Sequence, residues 1–245
     1  MTFRATGFEF RNRFFVIGAI FFLAFACYNL DHVNVSEAAA RLMLGDEAKA
    51  NSPMVGHYVR ILFYGGVLLI TLAALIRSWA EAYLHSSVVH DTAMYSDRIV
   101  ADGPYRHTRN PLYLGTMLLG LGMGLMASRL GFVVLALGMT LFVYRLILRE
   151  EAGLLQSQGE TYRRYLKAVP RLIPSLRPRV PPGGGKPNWL DGFVGETFFW
   201  SFAAAMAVFA FTGNFRYFWI VMGSGFAVYF AQNFFPHLRT PPPRA

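Results

Sequence analysis

The chain has 245 residues, of which 54% are hydrophobic, 16% aromatic and 15% charged. Soluble domains carry about a quarter charged residues, so this one lacks the polar groups to cover a water-exposed surface. The same figures exclude disorder, which needs low hydrophobicity and high net charge. A single cysteine, Cys27, excludes a disulfide framework and any multi-cysteine zinc site. What remains is an integral membrane protein with a formal net charge of +9.

A membrane-spanning helix needs about 20 mainly apolar residues to cross about 30 Å of hydrocarbon. The first such run, 14–30, follows Arg4, Arg11 and Arg13 and contains Ala24-Phe25-Ala26. It imitates a secretory signal, and we expect an uncleaved anchor. An outer loop, 31–57, carries Asp31, Glu37, Asp46 and Glu47, with Ser36 set to cap a short helix as a surface cover. The second run is 58–76. The third and fourth, 111–127 and 130–147, are separated by Ser128 and Arg129 and form a tight hairpin. A Pro/Gly linker, VPPGGGKPN from Val180, has no helical future. The fifth and sixth runs, 193–211 and 217–235, make a second hairpin that holds 12 of the 23 phenylalanines.

The resulting architecture is all-α and membrane-embedded, with about six transmembrane helices in hairpins plus a cytoplasmic amphipathic helix. Its expected parts are N-terminal membrane helices over 1–98, a polar core over 99–179, a linker over 180–189, a C-terminal hairpin over 190–236 and a tail over 237–245. Basic residues fix the orientation. With the N-terminus inside, 18 of the 23 Lys and Arg fall on the inner side, leaving Arg41, Lys49, Arg60, Arg129 and Arg216 outside. Both termini are therefore expected in the cytoplasm, most simply across an inner (cytoplasmic) membrane. The positive excess is thereby explained as topology, and a nucleic-acid partner loses its support.

Polar residues gather on the inner side in two blocks. The first reads Ile99-Val-Ala-Asp-Gly-Pro-Tyr-Arg-His-Thr-Arg-Asn-Pro-Leu-Tyr-Leu-Gly115. Gly103-Pro104 signals a turn, Pro111 suits a first helical turn, and Asn110 sits where an N-cap would. Arg106, His107 and Arg109 gather at the mouth of that helix, where its positive end favours a polar ligand. The second block runs from Tyr144 through Arg145, Arg149, Glu150 and Glu151 to Gly159, Tyr162, Tyr165 and Val169-Pro-Arg-Leu-Ile-Pro174. Adjacent glutamates on a helix point about 100° apart. One can pair with Arg145 or Arg149 while the other faces a cation. Tyr162 and Tyr165 mark the packing face of an amphipathic helix.

GPYRHTRNPLYLG, then the EE pair, then Gly159, Tyr-x-x-Tyr and Val-Pro together resemble the isoprenylcysteine carboxyl methyltransferases and, more broadly, the phospholipid methyltransferase-like integral membrane enzymes. The resemblance covers 99–174, with Asn110 where the family's Arg-His-Pro-x-Tyr-x-Gly motif has His. It implies S-adenosylmethionine as donor, bound at the cytoplasmic side along Tyr105, His107, Asn110, Pro111, Tyr113 and Gly115. Glu150 and Glu151 would meet its cationic groups, and 169–174 would help close the site. The acceptor would be a lipophilic small molecule reached through membrane lipids. A carboxylate acceptor would need only an orienting cation, Arg145 or Arg149. An amine or thiol would need a base, Glu150 or His107. Membrane sterol reductases share a related His-Pro-x-Tyr region and bind NADPH, which keeps a reductase open as an alternative, as is a non-catalytic scaffold.

Other features are expected to be structural. Gly120, Gly122 and Gly124 lie in an apolar run without a nucleotide-binding βαβ setting and read as a close-packing surface. His85, His90 and Asp91 have poor spacing for a metal on one helical face and could line a substrate entrance, so no metal site is expected. Arg77 and Trp79 read as interfacial anchors.

Overall fold

In the computed structural model, residues 3–45, 52–89 and 101–234 are described. His90, Asp91 and the tail from 237 lie outside them, as does the side chain of His85. The described residues form nine α-helices and no strand. They are α1 (Gly7–Arg11), α2 (Arg13–Ala26), α3 (Val35–Leu44), α4 (Pro53–Val89), α5 (Pro111–Gly124), α6 (Arg129–Ala168), α7 (Trp189–Gly195), α8 (Thr197–Thr212) and α9 (Phe215–Phe234). Short 3-10 turns occupy Cys27–Asn29 and Gly103–Arg106.

Helix lengths sort these elements against a bilayer. At 1.5 Å per residue, the 37 residues of α4 and the 40 of α6 exceed the hydrocarbon thickness, and both are apolar enough to cross it. α7 and α8 meet at 62° and make a third span if the pair is one broken helix. α2 and α5 have 14 residues each, about 21 Å by the same rise. The apolar runs are therefore helical as expected, while two to three helices meet the spanning criterion outright. The faces they leave uncovered are apolar, with Phe15, Leu68 and Trp219 among the exposed side chains, as contact with lipid requires.

α4 is the central post, packed against α5, α7 and α8, while α2 and α5 pack on α6 and α9 pairs with α8. One core cluster joins Ile70, Leu119, Met123, Phe199 and Met206 across α4, α5 and α8. A smaller one joins Ala24, Leu135, Met139 and Val143 between α2 and α6. Small residues set these distances. A Cβ on Gly122 would stand 2.9 Å from the Gly66 carbonyl, and one on Gly131 only 2.2 Å from that of Ala24. Gly120 and Gly124 likewise face Met139 and Phe132, so the glycine row is a packing surface, as expected.

The segment 31–45 covers the α5–α6 turn. Val35 donates its backbone N–H to the Ala127 carbonyl at 3.0 Å and Arg129 donates to that of Val33 at 3.1 Å. Tyr28 donates to the Met126 carbonyl at 2.7 Å. The cap of α3 is Asn34, which accepts from the Ser36 and Glu37 amides. Ser36 sits inside the helix and donates to the Leu125 carbonyl instead. Asp31 reaches the start of α6, accepting from the Leu130 amide at 2.9 Å and from Arg129.

On the opposite side α6 runs far past its apolar part, broken at Gly159, whose φ of 55° ends one helix and starts the next. The stretch beyond is the expected amphipathic helix, with Tyr162 and Tyr165 both buried. Linker residues 180–188 carry no helix. Asp102 accepts from the Gly183 and Gly185 amides at 2.7 and 2.8 Å.

Candidate functional site

Three pieces of chain converge at this end of the molecule: the turn and first residues of α5, the exit of α6, and the extended segment 169–180. Backbone pairing fixes their register. Arg109 donates its N–H to the Pro170 carbonyl at 2.9 Å, Ser175 donates to that of His107 at 3.0 Å, and Arg179 to that of Arg106 at 2.8 Å. Thr108, fully enclosed, donates to the Leu172 carbonyl at 3.0 Å. The second segment of the site is thus laid as a strap across the first.

Glu151 is the electrostatic centre. Its carboxylate is buried, with 7% of the side chain exposed, and meets Arg109 at 2.9 Å and Arg171 at 2.8 Å. Arg109 also donates to the Val169 and Leu166 carbonyls, and Arg171 donates to the Tyr144 hydroxyl at 2.6 Å. The hydrogen bonds to Glu151 raise the Arg171 pKa further above its ordinary value. Two guanidiniums around one carboxylate leave a net positive cluster whose donors are mostly spent on Glu151 itself. Asn110 makes no side-chain cap to α5. Its NH2 group donates instead to the Arg171 carbonyl of the strap at 3.0 Å and toward Glu151 of α6 at 3.4 Å.

Glu150, one residue earlier, is in a different situation. It is partly buried, turned to the Tyr113 hydroxyl, with Arg13 the neighbouring cation. It makes no ion pair among the described residues. The remaining expected site residues divide by role. Tyr105 accepts the Tyr165 hydroxyl proton on its carbonyl at 2.7 Å, and burial pushes its phenol well above the usual range. His107 places Nδ1 2.8 Å from the Ser175 carbonyl. A carbonyl only accepts, so Nδ1 carries the proton and Nε2 of the neutral ring is left as an acceptor. Pro111 is buried at the first position of α5. Gly115 faces α4, where an added Cβ would lie 2.4 Å from Arg77 Cγ. It therefore spaces two helices.

Arg145 is drawn elsewhere. It grips both oxygens of Glu9, at 2.8 and 2.9 Å, and its carbonyl accepts the Ala5 amide at 3.1 Å. Glu9 is held for this by a capping box, with Thr6 and Glu9 exchanging hydrogen bonds, so that its carboxyl sits below the usual range. Arg149 donates to the Ala5 carbonyl at 2.9 Å. The expected pairing of the EE glutamates with Arg145 or Arg149 is thus replaced by Arg109 and Arg171 on one side and the N-terminal segment on the other.

Arg77, read as an interfacial anchor, points inward. It pairs with buried Glu196 at 2.7 Å, donates to the Leu112 carbonyl at 3.0 Å and to Thr116 at 3.1 Å, and lies 4.0 Å over the Phe199 ring. This ties the first turn of α5 to the α7–α8 bend. Glu196 and Glu9 carry no motif that marks them, whereas Arg171 stands inside the segment expected to close the site. Among the described residues no group of three His, Cys, Asp or Glu side chains is placed to hold a metal ion.

A helical membrane protein with a polar, arginine-rich site at one end of its helices is the class these features define. Residues 61–160 match the phospholipid methyltransferase family. The resemblance to integral membrane methyltransferases is therefore shown over the segment that carries Arg109, Asn110, Glu150 and Glu151. A cobalt-zinc-cadmium resistance protein from Cupriavidus metallidurans is 31% identical over 112 residues, which is 45% of this chain and 48% of that protein. The chain thus spans about half the length of the curated relative it matches. No solved structure matches.

Proposed function

We propose that this protein transfers a methyl group from S-adenosylmethionine to a lipophilic, isoprenoid- or phospholipid-like acceptor at the cytoplasmic face of an inner (cytoplasmic) membrane. The observation that carries the reading is the inequality of the two glutamates within a segment matching phospholipid methyltransferases. Glu151 is consumed by Arg109 and Arg171, whereas Glu150 is a partly buried carboxylate beside the Tyr113 hydroxyl, without an ion pair among the described residues. With Arg13 the neighbouring cation but not ion-paired to it, that carboxylate has the chemistry a cationic donor fits.

Bound there, S-adenosylmethionine supplies a methyl group on a positively charged sulfur. The chain's own residues bind and align. Glu150 meets the donor's positive charge, and Tyr113 orients that carboxylate. Asn110, His107 and Tyr105 line the cofactor beneath the strap, with Pro111 and Gly115 setting the start and the seat of α5. Glu151 holds the strap shut through Arg171, so it acts as a positioning residue. Displacement at the methyl group is governed by alignment of three atoms, which is proximity work. For an acceptor that must lose a proton, Nε2 of His107 or Glu150 can accept it.

Six crossing segments complete the proposal, with α2 and α5 as short spans and both chain ends in the cytoplasm, in keeping with the distribution of basic residues. The test is direct. Membranes containing the protein are supplied with a total lipid extract and S-adenosylmethionine labelled in its methyl group, and lipid products are identified by mass spectrometry. The reading expects a labelled lipid that disappears with Glu150→Gln; label confined to water-soluble products overturns it.

A further inference from the structure

The strap has an outer edge that the fold does not use. Ile173 is 83% exposed and Leu176 fully so, although their backbone neighbours are fastened. Pro170, Arg171 and Leu172 accept hydrogen bonds from 108–110, Ser175 and Arg179 donate to His107 and Arg106, and Val180 accepts from Arg106 at 2.9 Å. Two aliphatic side chains left uncovered on a pinned backbone are more stable when covered by an apolar surface. The same segment carries Arg177, Arg179 and Lys186, exposed and without an ion pair among the described residues. The chain then enters α7 with Trp189 and Leu190 exposed. It is tied to α4 by the Asn188 amide on the Ala82 carbonyl at 2.9 Å and bends into the apolar α8.

We infer that segment 173–190 is a membrane-surface contact that seats Ile173 and Leu176 among lipid headgroups and holds anionic lipid through Arg177, Arg179 and Lys186. Aliphatic side chains alone would suit any apolar partner. The three cations select a negatively charged lipid surface, and the indole of Trp189 at the head of a membrane-entering helix marks the level of that surface. The strap also carries Arg171, the partner of Glu151. Lipid gripping its outer edge therefore steadies the inner edge that closes the site. This inference rests on the membrane reading and is independent of methyl transfer.

The test uses the full chain with Cys27→Ser and Leu176→Cys, labelled with an environment-sensitive fluorophore and reconstituted into vesicles. One set is phosphatidylcholine alone, and the other also contains phosphatidylglycerol. The expected result is blue-shifted emission, quenched by lipids bearing a headgroup-level quencher and further shifted in the anionic vesicles. Arg177→Gln and Arg179→Gln should each lower the anionic bias by about fivefold, the equivalent of about 1 kcal/mol per basic residue. The same label at Ile173→Cys gives an independent reading. Water-like, unquenched emission in both vesicles overturns the inference, as does an anionic shift indifferent to both arginines. A shift that follows the protein-to-lipid ratio overturns it too, since that marks contact between copies of the chain.

Discussion

A carboxylate held between two guanidiniums has little left to offer a ligand, and Glu151 has that environment, whereas Glu150 faces a phenol. The difference arises from the turn of the helix, since neighbours about 100° apart look toward different elements: Glu151 toward the strap, Glu150 toward α5. Their substitutions should therefore differ in kind. Glu151→Gln leaves Arg109 and Arg171 partly unpaired in a buried setting, where loss of one partner costs about 3–5 kcal/mol. Denaturant or thermal unfolding of the detergent-solubilised protein should show a large loss of stability. Glu150→Gln, which breaks no ion pair among the described residues, should unfold within about 1 kcal/mol of the parent. Equal losses in the two variants would contradict this division.

The elements are joined by polar contacts at both ends of the apolar helices, and the end at the α5–α6 turn has a pH signature. Asp31 takes hydrogen bonds from the Arg129 side chain and the Leu130 amide, which hold its carboxyl down to about 2. Its unfolded value is about 3.9. A carboxylate whose folded pKa is depressed stabilises fully above the unfolded value and loses that contribution as pH falls through the folded one. The Asp31 contribution should thus be complete near neutrality and fade from about pH 4 down to about pH 2. Unfolding midpoints measured against pH should fall less steeply over that range in Asp31→Asn than in the parent. An unchanged slope would show that the Asp31 contact with the start of α6 has no energetic weight. At the other end, Arg145 and Arg149 anchor the N-terminal segment to α6, and Arg77 with Glu196 anchors the C-terminal hairpin to α4 and α5.

For the whole molecule, the distribution of 18 basic residues against five expects both ends of the chain in the cytoplasm. Reporter fusions at each end, active only in the cytoplasm, should both be active; a split result would overturn the orientation. The helices themselves were legible because apolar runs between Pro, Gly and charged residues leave few alternatives. The glycine packing surface was legible because three small residues recur on an apolar helix. Contacts across the chain were not. Arg77 meets Glu196 across 119 positions, and local composition made the arginine look like an anchor. Asn110 stands where a cap belongs, but its side chain is oriented by acceptors 41 and 61 residues away, to which its NH2 group donates. Arg145 looked available beside the EE pair because Glu9 lies 136 residues earlier. Local pattern therefore marked the candidate site, and long-range pairing decides which of its charges remain open.

The central claim is that Glu150 is the open carboxylate of a site for S-adenosylmethionine. Binding of the labelled cofactor to the purified chain measures it most directly. Saturable binding is expected, weakened about 10- to 100-fold by Glu150→Gln, as the loss of a hydrogen bond to a charged group of about 1.5–3 kcal/mol implies. Absence of saturable binding, or equal affinity in parent and variant, would contradict it.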